Sequence, residues 1–308
     1  MAKRSRHDFF DEEFLARLQR LHLIAKRMVA RGSAGPRRSR RMGDGLEFAD
    51  HRAYAPGDDI RFIDWPYYAR MERLLLRLFH EHSESDVAIL LDVSGSMATD
   101  GPPGGVPAGQ LAKYNYARRA AAALAYVAMG SLERVILLPF AAGLGEPMRT
   151  GRNRAQILDV LDFLSALQPG GETHLRGSVE EFARRYRSAG TVIILSDLLD
   201  CSADLSDALA RLQVQDFDVT VLHLYTPADA SPLLRGPMLL HQVETAQRIS
   251  MNVTEELLES YRLRWREFQA GCERTCVSRG ATYVAAETSV PFERLVLQAL
   301  RQAGVLSG

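Results

Sequence analysis

The sequence predicts an α/β fold, a doubly wound, mostly parallel sheet with helices on both faces, and three observations lead to it. Strand-length segments recur at 87–93, 134–140, 191–196 and 218–225, and the almost unbroken apolar run at 87–93 suits a strand buried on both faces. Segments of helical periodicity lie between them. Oxygen-bearing side chains gather where strands end, at Asp92-Val93-Ser94-Gly95-Ser96, at Gly170-Gly171-Glu172-Thr173 and at Ser196-Asp197, which is where an open α/β sheet places its ligands.

Taken in order, residues 9–30 place Phe10, Phe14, Leu15, Leu18, Leu21, Ile24, Ala25 and Met28 close to an i, i+3, i+4, i+7 stripe and predict an amphipathic helix packed on the main body. Residues 31–41 hold five arginines among turn-formers and read as a mobile basic loop. In the block from Leu46 to Trp65, Pro56-Gly57 sets a turn and Asp58, Asp59 and Asp64 alternate with Arg52 and Arg61, so charged pairs are expected to lock the loop. Tyr54, Phe62, Ile63 and Trp65 are its expected apolar anchor, and residues 74–79 are expected to lead as a strand into the sheet. Residues 98–109 are too rich in Gly and Pro for a helix or strand and read as a flap beside the Asp92 turn.

An Ala-rich helix is expected over 113–130, almost uncharged after Arg119 and therefore buried. Further helices are predicted over 153–167, 175–187, 203–213, 254–278 and 291–303, a final strand over 282–285, a hairpin over 238–251, and an irregular connection over 227–237. The expected division is an N-terminal region, 1–85, packing on a main domain, 86–308.

Asp92, Ser94, Ser96, Thr173 and Asp197 are all hard oxygen donors, and Mg²⁺ takes near-octahedral oxygen coordination while keeping waters readily. In order and spacing the five resemble the metal-ion-dependent adhesion site of von Willebrand factor A domains. The resemblance implies that Ser94, Ser96 and Thr173 coordinate directly, that Asp92 and Asp197 act directly or through water, and that a partner's Asp or Glu fills the open position. Mg²⁺ is the expected ion, with Mn²⁺ and Ca²⁺ as alternatives.

The upstream block resembles domain of unknown function 58, whose signature Arg-x-Tyr-x-Pro-Gly-Asp-Asp-x-Arg-x-Ile-Asp-Trp is matched here at Arg52, Tyr54, Pro56, Gly57, Asp58, Asp59, Arg61, Ile63, Asp64 and Trp65. That family carries a von Willebrand A-like domain and is associated with MoxR-type AAA+ ATPases in chaperone-like maturation or stress functions. The resemblance therefore implies a MoxR-type ATPase and a protein client as partners. Arg52, Tyr54, Asp58, Asp59, Arg61, Asp64 and Trp65 are candidate partner contacts, with a purely structural clamp as the other reading of the same block.

Other chemistry finds less support. Lys+Arg and Asp+Glu both number 38, so the chain is no generic polyanion binder, and nucleic acid is not an expected partner. No apolar run of about 18 residues and no leader-like N-terminus is present, which leads to an expectation of a cytoplasmic protein without a membrane span. Neither a Walker loop nor a Gly-x-Ser-x-Gly elbow occurs. Cys272 and Cys276 are expected to pack in the core, and His174 sits where it could tune the metal loop. The expected function is a non-enzymatic, metal-dependent adaptor, with a metal-dependent hydrolase or phosphatase as the alternative.

Overall fold

The computed structural model describes residues 10–31, 42–43, 47–55, 58–80, 86–98, 113–131, 133–187, 190–199, 202–241 and 248–302. Most of the expected basic loop, most of the flap and Pro56-Gly57 lie outside them. In chain order the elements are α1 (Glu12–Arg31), β1 (Met42–Gly43), β2 (Glu47–Ala53), α2 (Trp65–Met71), β3 (Leu75–His80), β4 (Val87–Asp92), α3 (Lys113–Gly130), β5 (Val135–Phe140) and β6 (Met148–Arg149). There follow α4 (Ile157–Ala166), α5 (Leu175–Arg185), β7 (Thr191–Ser196), α6 (Ser202–Val214), β8 (Asp218–Tyr225), α7 (Pro227–Ala230), β9 (Gly236–His241), β10 (Arg248–Val253), α8 (Glu255–Ser278), β11 (Thr282–Glu287) and α9 (Phe292–Gln302).

The chain divides into two units: Ser33–Glu84, and Met1–Gly32 together with Ser85–Gly308. In the larger unit six strands run in the order β11-β8-β7-β4-β5-β6, all parallel except β6 against β5. Every residue of β4, β5 and β7 is buried. Alternate side chains feed two cores, as the period of two along a strand requires. Val87, Ile89 and Leu91 pack with Val135, Leu137 and Leu195 against α1, α3, α4 and α9. Ala88, Leu90, Ile136 and Ile194 pack with Val179, Phe182 and Leu209 of α5 and α6, and with Cys272 and Cys276 of α8. Burial raises both thiols, to about 11 and about 12, and both are free, so they serve packing.

The N-terminal helix belongs to this unit. Asp11 Oδ1 accepts from Phe14 N at 2.7 Å at its start, and Phe14, Leu18, Leu21 and Ala25 are buried along one face. Arg17 forms a two-pronged ion pair with Glu293 of α9. The division at 85/86 drawn from sequence groups α1 with the signature block; its contacts group it with the doubly wound unit.

The smaller unit has its own antiparallel sheet, ordered β1-β3-β2. Residues 75–80 therefore pair with Glu47–Ala53 rather than entering the parallel sheet, a correction to the expected path. The expected hairpin forms from β9 and β10. In the stretch expected to be irregular, Thr226 and Asp229 build a capping box that starts the short α7.

Candidate functional site

Strands β4 and β7 are neighbours, yet the chain leaves β4 toward β5 and leaves β7 toward β8, on opposite sides. Their carboxyl ends thus bound the crevice where a doubly wound sheet binds ligands. Asp92 closes β4 and Asp197 follows β7 directly.

The Asp92 carboxylate is fully buried. Its Oδ1 accepts from Ser94 N at 2.9 Å, which folds the turn, and its Oδ2 accepts from Ser196 Oγ at 2.6 Å, which ties that turn to β7. Ser94 Oγ and Ser96 Oγ lie 3.0 Å apart, and Ser96 Oγ donates to Asp197 Oδ1 at 3.3 Å. Asp197 is held in a tight turn: Leu198 adopts φ 56, sparsely populated for a branched side chain, while its N–H donates to Ser196 Oγ at 3.0 Å.

The Gly-rich loop is clasped to this turn by its backbone. Gly95 N donates to Gly171 O at 2.9 Å, and Gly170 N donates to Val93 O at 2.8 Å. Gly171 has φ 83, a conformation that favours a residue without Cβ. Two residues on, Thr173 is half-buried. His174 is exposed, 3.8 Å from the equally exposed Glu172 carboxylate.

Burial, and then the neighbouring Asp197, raises the Asp92 carboxyl to about 6. His223 stands beside Ser196 in the β7–β8 register, and burial pushes it down to about 4. Lys113, first residue of α3, reaches Asp197 Oδ2 at 2.7 Å and Asp229 Oδ2 at 3.7 Å. Lys113, His223 and Asp229 escape sequence reasoning, which singled out Ser196 only as part of an oxygen-bearing strand end. A lysine heading an otherwise buried Ala-rich helix was the one available signal.

Among the described residues no three His, Cys, Asp or Glu side chains cluster as a metal group. The set assembled here instead has two carboxylates and three serine hydroxyls, those of Ser94, Ser96 and Ser196, in one hydrogen-bonded cluster, an oxygen-donor chemistry that fits a hard divalent cation.

In the smaller unit the signature side chains mostly satisfy one another. Arg52 Nη2 donates to Asp58 Oδ1 at 2.8 Å and holds that carboxyl below its usual range. Asp58 also accepts from Ala55 N, while Asp59 accepts from the backbone and side chain of Arg61. Asp64 caps α2 through Tyr67 N at 2.9 Å and pairs with His51 Nε2 at 2.9 Å, a partner the arginine pairing did not anticipate. Tyr54 is half-buried and its N–H donates to Leu74 O. Of the expected anchors Ile63 is buried, but Trp65 is 55% exposed, alongside exposed Ile60, Tyr68 and Met71. Trp65, the first residue of α2, is therefore a surface residue, its ring edge-on to that of Tyr68.

Fold and site together define a doubly wound α/β domain with a hydroxyl and carboxylate cluster at its switch point, in a chain that also carries a small antiparallel unit. The chain belongs to the family described as protein of unknown function DUF58, whose model matches residues 50–270. The uncharacterized proteins Mb1516 of Mycobacterium bovis and Rv1480 of Mycobacterium tuberculosis are 24% identical to it over 98% of this chain and 94% of their own length. Among solved structures it resembles BatB of Bacteroides thetaiotaomicron, with TM-score 0.43 and 15% identity over 72% of this chain and 99% of that one. It also resembles the SpRpn10 VWA domain, with TM-score 0.39 and 10% identity over 69% and 93% of the two chains. Mussel byssus proximal thread matrix protein 1, solved with a zinc-occupied MIDAS motif, has TM-score 0.36 and 12% identity over 72% of this chain and 45% of that one. Among the described residues no helix is long and apolar enough to cross a membrane.

Proposed function

We propose that this chain is a non-enzymatic adaptor that captures a carboxylate of a protein partner through a divalent cation, Mg²⁺ first, held by Asp92, Ser94, Ser96, Thr173 and Asp197. The observation that carries this reading is the oxygen-only cluster of Asp92, Ser94, Ser96 and Asp197 at the β4–β7 switch point. A cation held mainly by neutral hydroxyls supplies an electrophilic open position for an incoming Asp or Glu. Asp92 fixes the Ser94 turn, Ser196 ties Asp92 to β7, and the Gly170-Gly171 clasp brings the Thr173 loop to the same turn.

The proposed partners are a MoxR-type AAA+ ATPase and its client, in chaperone-like maturation or stress functions. The signature block is the proposed second contact. Its internal ion pairs give Arg52, Asp58, Asp59, Arg61 and Asp64 a shaping role, as the backbone bond to Leu74 does Tyr54, and Trp65 stands exposed as the contact residue.

The test is capture from native extract, with Mg²⁺ and with EDTA, by wild type, Asp92→Asn and Trp65→Ala. An AAA+ ATPase retained only by metal-loaded wild type, and weakened by Trp65→Ala, is the expected result. The same partners in every lane would remove the metal site from the contact, and phosphoester turnover lost in Asp92→Asn would make the site hydrolytic instead.

A further inference from the structure

Lys113 is fully buried, its side chain 1% exposed, and its ammonium lies on Asp197 Oδ2 at 2.7 Å with Asp229 Oδ2 at 3.7 Å. Buried lysines are rare unless paired, and withdrawing an ammonium from water is strongly unfavourable. This one also heads α3, where the helix dipole disfavours a cation. Among the described residues, the Asp197 and Asp229 carboxylates offset both penalties.

Asp197 divides its oxygens. Oδ1 takes the Ser96 hydroxyl on the crevice side, and Oδ2 takes Lys113. Among the described residues the titratable and charged groups around the ammonium are Asp197, Asp229 and the buried, neutral His223, with Asp92 beyond Asp197. Asp229 is fixed in turn, since its Oδ2 accepts from Thr226 N at 2.7 Å in the α7 capping box.

We infer that Lys113 is a resident monovalent cation of this site: it compensates Asp197 when no divalent ion is present and lowers the affinity of the cluster for one. The inference rests on the metal-site reading above. A divalent cation drawn to Asp197 Oδ1 and the serine hydroxyls meets a fixed positive charge on the other oxygen of the same carboxylate. In a buried setting that repulsion is screened far less than at the surface. Carboxylates without Lys113 should therefore hold the ion more tightly and depend on it more.

The experiment is calorimetric titration of the full chain with Mn²⁺ for wild type, Lys113→Met and Lys113→Arg, with melting followed in EDTA and in Mn²⁺. Lys113→Met is expected to bind Mn²⁺ at least about tenfold more tightly than wild type. It should melt lower in EDTA and gain more from Mn²⁺, while Lys113→Arg stays close to wild type. Unchanged or weaker binding by Lys113→Met, with wild type binding normally, overturns the inference and leaves the metal site standing. Binding by Lys113→Met alone supports the inference and removes the metal-dependent function from the natural chain, whereas binding by neither overturns both. Should Lys113→Met fail to fold in EDTA, it is refolded across a Mn²⁺ series. Recovery with the ion supports the inference, and no recovery overturns it.

Discussion

Asp92 on β4 and His223 on β8 are both buried, on strands that flank β7, and their titrations move stability in opposite directions. His223 lies at about 4 in the fold, so an unfolded chain takes up that proton first on acidification; its contribution to stability is full above about 6.5 and is lost as pH falls toward 4. Asp92 lies at about 6, above its unfolded value, so its proton binds the folded state first, and stability is gained as pH falls through 6 toward 4. His22, pushed down by burial and by Arg154, acts in the same direction as His223. Urea unfolding in EDTA at pH 7 and pH 4.5 should separate the two. Relative to wild type, acidification should cost Asp92→Asn about 2 kcal/mol and should favour His223→Phe by about 2 kcal/mol. Of these residues Asp92 was legible in the sequence, as were Ser94, Ser96 and Asp197, because strand ends and a short turn spacing fix them locally. Lys113 and Asp229 were not, since their partnership is made only when α3 and α7 meet above β7.

At the level of elements, length and continuity decided what could be foreseen. Strands β4, β5 and β7 are unbroken apolar runs, and α3, β7 and β8 form over the ranges expected. The two-residue β6 carries too little pattern, and α7 depends on a capping box inside a stretch rich in loop-formers. The stretch 47–53, which runs into the signature at Arg52, was not legible as a strand, because Glu47, Asp50, His51 and Arg52 give it no apolar alternation. Two glycines test how tightly elements pack. A Cβ at Gly190 would stand 2.5 Å from Asp86 O, where the entries to β7 and β4 run side by side, so Gly190→Ala should lower stability by about 1–3 kcal/mol. Gly177 sits inside α5 with nothing within 4 Å of its added Cβ, and Gly177→Ala should raise stability by about 0.4–1 kcal/mol. Denaturant midpoints of both variants check the opposite signs.

Across the whole chain, one compact unit is built from two separated stretches, with Ser33–Glu84 inserted between them. The amphipathic face of α1 and its packing on the main body were legible, but the residues it meets there were not, since only the folded chain brings Phe14 to Phe292 and Arg17 to Glu293. Phe14 is 1% exposed in the core shared with α3 and α9. Phe14→Ala should therefore destabilise the unit containing residues 85–308 by about 3–5 kcal/mol, measured by chemical unfolding, although it lies before the inserted unit. The chain's two tryptophans fall one to each unit: Trp65 is exposed in the smaller and Trp265 is buried beside Tyr225 and Phe268 in the larger. The protein thus carries its own pair of optical reporters. With Trp65→Phe the remaining indole emission follows the larger unit alone, and with Trp265→Phe the smaller, so intrinsic fluorescence can tell whether a partner engages one unit or both without attaching a label.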